Sequence, residues 1–173
     1  MAQFITVPLS ANSAGASAYD LGEFDSGQAE LDVWLAEHAL DAQRRRTART
    51  FIQADESGVA LAYYSLAAHV LQQAELPHRL ARGEPRQIPA VLLARLALDR
   101  SLQGRGLGGI LLADALLRVV VASDTVAARY VVVDAIDDRA AAFYEHHGFR
   151  RIPTTRRLVQ SINDIASALR ATP

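Results

Sequence analysis

The order of apolar and polar residues predicts a layered α/β domain. Three observations carry that expectation. Strand-like and helix-like segments alternate along the chain, a nearly unbroken apolar run at 90–98 has the character of a strand buried in a sheet, and a glycine-rich segment leads from that run straight into a helix former. With 173 residues the chain is long enough for one substantial core, so residues 1–173 are expected to form a single domain.

Taken in order, Ser26 is placed to cap a helix whose apolar positions Leu31, Trp34, Leu35 and Ala39 recur at helical spacing. Strands are expected at 50–54 and 59–70. Between them Asp55-Glu56-Ser57-Gly58 has the residues of a tight hairpin turn, so the two should pair antiparallel. The stretches 10–22 and 75–89, rich in small and turn-forming residues, read as loops. The run at 90–98, broken only by Arg95, reads as the centre of a sheet. A helix opens at 110, a strand is expected at 130–135, a helix at 138–147 that stops at Gly148, a strand at 157–160, and a last amphipathic helix at 163–170.

Composition narrows the function. Hydrophobic residues make up 50% of the chain and charged residues 21%, with a formal net charge of −1, the balance of a soluble globular protein. No apolar run approaches the ~20 residues of a spanning helix. Met1-Ala2-Gln3-Phe4 lacks the basic start and apolar stretch of a secretory signal, so a cytoplasmic location is expected. There is no cysteine, which excludes disulfides, thiolate nucleophiles and thiolate metal ligands; no metal site is expected. Charge is segregated: residues 1–41 hold seven acids and no Lys or Arg, and residues 42–100 hold nine arginines against five acids. All 18 basic residues are Arg. Guanidinium grips phosphate with two prongs, and a high-GC genome produces the same bias.

The chemistry is concentrated in Gln103-Gly104-Arg105-Gly106-Leu107-Gly108-Gly109. A buried strand, a glycine loop and an immediate helix make a site for a phosphorylated ligand. Glycines let main-chain N–H groups turn toward an anion, and the first turn of the helix offers unpaired N–H groups and a favourable dipole. The glycine spacing is not that of G-x-G-x-x-G, and no second βαβ half follows. A Walker A loop needs a Lys, which the chain lacks.

Gln103-x-x-Gly106-x-Gly108 resembles the Q/R-x-x-G-x-G/A pyrophosphate loop of the GCN5-related N-acetyltransferases, the GNAT family. Downstream, Ala142-Phe143-Tyr144-Glu145-His146-His147-Gly148-Phe149 resembles that family's A-x-x-F-Y-x-x-x-G-F ending of its fourth helix. Segments 62–66, 93–99 and 102–108 resemble a narrower group, the TacT-like toxins of bacterial toxin–antitoxin pairs. The likeness extends from about Phe24 to Gln160. It implies a GNAT fold: a mixed, mostly antiparallel sheet of six to seven strands, splayed between the fourth and fifth and flanked by about four helices. It further implies acetyl-CoA as cosubstrate, held by Gln103, Gly104, Arg105, Gly106, Leu107, Gly108 and Gly109, with Phe143 alongside. A main-chain N–H among Leu96, Ala97 and Leu98 would polarise the thioester carbonyl, and Tyr144 would protonate the leaving thiolate.

The narrower likeness implies acetylation of the free α-amine of aminoacyl-tRNA, arrest of translation, and a cognate ribbon-helix-helix antitoxin that carries the DNA contact. Arg44, Arg45 and Arg49 form a basic cluster suited to RNA phosphates, and also suited to a solvated helix end. Arg95, a charge inside the central strand, is a further RNA candidate. Asp99, Glu145, His146 and His147 are bases by type only. A small amine or protein N-terminus as acceptor stays open, as do a non-catalytic CoA-binding module and a homodimer.

Overall fold

A computed structural model describes residues 4–171. In chain order the elements are β1 (Val7–Pro8), α1 (Ala29–Glu37), α2 (Ala39–Arg45), β2 (Arg49–Ala54), β3 (Ala60–Gln72), the one-turn α3 (His78–Ala81), β4 (Gln87–Leu98), α4 (Leu107–Ser123), β5 (Tyr130–Asp134), α5 (Asp138–His146), β6 (Arg150–Arg151), β7 (Arg157–Ser161) and α6 (Ile162–Ala171). The strands form a seven-stranded sheet in the order β1-β2-β3-β4-β5-β7-β6. β4 and β5 run parallel, and β1–β2, β2–β3, β5–β7 and β6–β7 pair antiparallel. The expected mixed sheet is therefore present with seven strands. The parallel register runs from Ala90↔Tyr130 to Leu92↔Val132 and stops there.

The chain forms two compact units. One comprises the described residues up to Ala67 together with Ala94–Ala115, and the other Ala68–Leu93 together with the residues from Leu116 onward. In the first, Leu9, Leu21, Phe24, Leu35, Ala39, Ile52, Ala60, Tyr63 and Ala97 form the core. In the second, the core is Leu71, Leu76, Ile88, Ala90, Tyr130, Val132, Ile152 and Val159. Full burial of side chains of this size, at ~25 cal/mol per Å² of apolar surface, is the main stabilising term in each.

Several elements depart from the sequence expectation. The first helix is split: α1 ends at Glu37, His38 takes φ −121° and ψ −25°, and Ala39 opens α2. Leu35 and Ala39 are nonetheless both fully buried, so the break keeps their common face on the core. Ser26 is not the cap; that position is Gln28. The Ser26 hydroxyl instead accepts from the Gln28 N–H at 3.2 Å and donates to Asp32 Oδ1 at 2.5 Å. Strand β4 begins two residues before Pro89. A proline lacks only the donor, and its carbonyl accepts from the Arg129 N–H at 2.7 Å. The two-residue strands β1 and β6 and the single turn α3 are too short for periodicity to mark. The β2–β3 hairpin forms as expected, with the Gly58 N–H on the Asp55 carbonyl at 3.0 Å.

Inside that hairpin, Thr50 and Ser65 lie opposite each other, both fully buried, with their hydroxyl oxygens 2.8 Å apart. We predict that Thr50→Val, which strands the Ser65 hydroxyl, destabilises the protein by ~1–3 kcal/mol in denaturant unfolding. Adding Ser65→Ala should recover most of that loss, because two apolar neighbours leave no unpaired group. Equal destabilisation by single and double variants would contradict the pairing argument.

Candidate functional site

The glycine loop lies entirely in the first unit, and its shape follows from what holds its two ends. Strand β4 is fixed at its terminus by the Asp99 N–H donating to the Leu61 carbonyl of β3 at 2.8 Å. A single 3-10 turn over Arg100–Leu102 follows, capped by the Asp99 carboxylate on the Ser101 N–H. That carboxylate also accepts from the Asp25 N–H at 3.0 Å and the Ser101 hydroxyl at 2.7 Å. Burial pushes its pKa up, and the donors from Ser101 and Asp25, with the Arg100 charge, more than reverse this, so it sits below the ordinary carboxylate range. Asp99 is thus a capping acceptor and a poor base.

Beyond the turn, Gly104 and Gly106 both take φ of +74°. Only glycine adopts this conformation without strain, and it swings successive N–H groups toward one side of the chain. A Cβ built on either would meet nothing within 4 Å, so the concave side of the loop is open. α4 then begins at Leu107, and Gly108 and Gly109 form its first turn with no side chain to cover the N–H groups. That turn carries no acidic residue, so no carboxylate competes for the amides or the dipole. Arg105 is exposed in the loop. Gln103 does not point its amide at the ligand space: its Nε2 donates to the carbonyls of Ser26 and Leu98, at 2.8 and 2.9 Å, and so fixes the loop. Of the three β4 residues expected to polarise a carbonyl, Ala97 has its side chain in the core, and Leu96 and Leu98 are half-buried.

Phe143 and Tyr144 lie in the second unit, on α5. Asp137 caps this helix by accepting from the Ala140 N–H at 2.7 Å. Tyr144 is 7% exposed. Its ring packs edge-on against Phe143 and Phe149, with centroids 5.2 and 5.6 Å away. The hydroxyl is not among the fully enclosed unpaired polar atoms and makes no hydrogen bond among the described residues. Burial alone pushes its pKa well above the ordinary phenol value. The group is a held ring with a free, protonated O–H. The residues flanking it serve structure. His147 Nδ1 donates to the Phe143 carbonyl at 2.8 Å, Glu145 accepts from Arg151 at 2.7 Å, and Asp138 faces Arg151 and Arg156 at 3.5 Å each.

The basic cluster is exposed, at the end of α2 and the start of β2. Arg44 reaches the Gly15 carbonyl, and Arg45 pairs with Asp41 at 3.0 Å across one helical turn. Arg95 is placed differently. Its guanidinium lies over the Trp34 ring at 3.9 Å, and burial lowers its pKa. Two features went unseen in the sequence. One is the segment at 25–27 that meets the glycine loop. The other is Arg157, which grips Asp134 with two bonds of 2.8 Å and Glu75 with one of 2.9 Å. Asp25-Ser26-Gly27 does carry an Asx-turn signal, but nothing in it reveals its partner.

Residues 50–151 match the family model described as an acetyltransferase (GNAT) domain. The chain is 40% identical over 137 residues to a tRNA-acetylating toxin of Mycobacterium tuberculosis, spanning 79% of this chain and 82% of that protein. Among solved structures it is similar to AtaT complexed with acetyl-methionyl-tRNAfMet, with 30% identity, a TM-score of 0.85, and coverage of 95% of this chain and 98% of that one. It is also similar to a mutant AtaT toxin bound to the C-terminus of the antitoxin AtaR and acetyl-CoA, with 29% identity, a TM-score of 0.78, and coverage of 95% and 97%.

Proposed function

The chain belongs to the GNAT acetyltransferase family, and from that premise we propose that it is a toxin that acetylates the free α-amine of aminoacyl-tRNA and is neutralised by a cognate antitoxin. One observation carries the reading. Two glycines at φ +74° and a helix start without an acid leave main-chain amides open to a diphosphate. The likeness to a tRNA-acetylating toxin across 79% of the chain supports a tRNA-borne acceptor.

Acetyl-CoA supplies an acyl group activated as a thioester. The amides of Gly104, Gly106, Leu107, Gly108 and Gly109 hold its diphosphate, and a main-chain N–H of Leu96, Ala97 or Leu98 donates to the carbonyl oxygen, where negative charge grows. The acceptor nitrogen forms the new bond to the carbonyl carbon as the carbon–sulfur bond breaks. The departing sulfur takes a proton from the Tyr144 hydroxyl, which later recovers one from the acylated nitrogen by way of solvent. A raised phenol pKa keeps the hydroxyl protonated at every working pH. The acceptor must arrive neutral, and an α-amine at ~7.7–8.0 does so far more readily than a lysine at ~10.4. A dedicated strong base is then optional; Asp99 is held ionised by its donors and Glu145 is paired with Arg151. The antitoxin would carry any DNA contact.

On the RNA side, Arg44, Arg45 and Arg49 are exposed and close in sequence, which suits phosphate contacts along a strand. Arg95 is left out, because its guanidinium covers Trp34.

Tyr144→Phe should leave acetyl-CoA affinity within about twofold and cut turnover by ~10²-fold or more. In the unchanged enzyme, turnover should rise with pH through ~8 as the acceptor ammonium loses its proton. It should then stay level to ~10, since a phenol with raised pKa remains protonated there. Unchanged turnover in the variant, or an alkaline fall centred below ~9, would remove Tyr144 from the reaction. Mass spectrometry after incubation with charged tRNA, free amines and peptides should find the acetyl group on the aminoacyl α-amine; acetylation of free amines or peptides alone would overturn the acceptor. Replacing Arg44, Arg45 and Arg49 by Ala should weaken charged-tRNA acetylation about tenfold or more at physiological salt and flatten its salt dependence, sparing acetyl-CoA binding. Equal activity on tRNA would refute the cluster's role.

A further inference from the structure

The glycine loop owes its shape to residues remote in sequence. Asp25 Oδ1 accepts from the Gly27 N–H at 2.9 Å and from Arg100 Nε at 3.1 Å. The Arg100 N–H donates to the Asp25 carbonyl at 2.8 Å, and the Asp25 N–H returns a bond to Asp99 at 3.0 Å. The next carbonyl, of Ser26, accepts from Gln103 at 2.8 Å. Gly27 takes φ +84°, and a Cβ there would lie 3.3 to 3.5 Å from the Arg100 guanidinium. Asp32 of α1 holds the segment from behind, accepting from the Ser26 hydroxyl and N–H at 2.5 and 3.0 Å. The main-chain N–H and carbonyl of Asp25, its Oδ1 and the Ser26 carbonyl are therefore all bonded to 99–103, the stretch that leads into the open glycines.

We infer that residues 25–27 are a brace for the diphosphate loop, with Asp25 and Gly27 as positioning residues for the cosubstrate. This rests on the acetyl-CoA reading given above. The brace works through accepted hydrogen bonds, not charge. The Asp25 and Arg100 side chains are 59% and 64% exposed, where an ion pair contributes little. A loop released from the brace samples conformations in which its amides diverge, and binding then carries the cost of gathering them.

The test uses the full-length protein and acetyl-CoA itself, with calorimetric affinity and steady-state kinetics measured side by side. Asp25→Ala should raise Kd and KM for acetyl-CoA about three- to fivefold, because it removes the acceptor that shapes the Gly27 turn and an exposed contact to Arg100 while the main-chain bonds to 99–100 remain, with kcat within about twofold. Asp25→Asn, which keeps the accepting oxygen and drops the charge, should recover most of the affinity. Gly27→Ala should behave like Asp25→Ala. Asp55→Ala is the control. Asp55 makes the same kind of turn, to Ser57 and Val59 N–H at 2.8 and 3.0 Å, in the β2–β3 hairpin. Its loss should leave Kd unchanged. Wild-type affinity in Asp25→Ala, an equal loss in Asp55→Ala, or a fall in kcat with KM constant would overturn the brace and leave the acetyl-CoA reading intact. Absence of acetyl-CoA binding by the unmodified protein would remove both.

Discussion

A helix start that is to hold a diphosphate must leave its own N–H groups unpaired yet fixed in direction. These demands conflict, because the usual way to fix a helix start is to cap it with a side chain that consumes those groups. The chain resolves the conflict by moving the fixing contacts one step upstream. Asp99 caps the single turn before the loop, Gln103 spans two carbonyls, and the segment at 25–27 supplies the matching donors and acceptors. The residues that follow, Gly104 to Gly109, are thereby freed from any structural duty except their backbone shape. The cost is one of sequence: two positions in the left-handed region must be glycine, and the Gln103 Nε2 is spent on two carbonyls.

The second unit keeps one hydroxyl protonated. Tyr144 is buried among Phe143 and Phe149, which removes water from the ring and disfavours the phenolate. Elsewhere in this unit a charged group ties strands together. Arg157 at the start of β7 closes on Asp134 at the end of β5, directly opposite in the register, and on Glu75. The side-chain bond from Arg157 holds Asp134 below the usual carboxylate range. The parallel register of β4 with β5 ends at Leu92↔Val132, whereas Val133 and Asp134 remain paired to β7. β5 therefore stays ordered past the point where its parallel partner leaves the register.

Local signals were legible in the sequence and long-range ones were not. Strand, glycine loop and helix could be read from 90 to 118 because each is marked by its own residues. Tyr144 is a candidate through the motif around it. The Asp55–Gly58 turn was similarly self-evident. The brace was not, because Asp25 and Asp99 are separated by most of the first half of the chain and nothing local in either names the other. The stacking partner of Arg95 was hidden for the same reason. A charge inside an apolar strand stands out in the sequence, but its ring partner, Trp34, lies on a different element. The split of the first helix was hidden because Leu35 and Ala39 keep helical spacing across the break at His38. Two-residue strands leave no period to detect.

The central claim is that the amides from Gly104 to Gly109 receive the diphosphate of acetyl-CoA. Amide-resolved NMR during titration with acetyl-CoA addresses it residue by residue. The largest shifts should fall on the N–H groups of Gly104, Gly106, Leu107, Gly108 and Gly109, downfield as expected for donors gaining an anionic acceptor. Saturable binding that left these amides unmoved, with the shifts centred elsewhere, would contradict it.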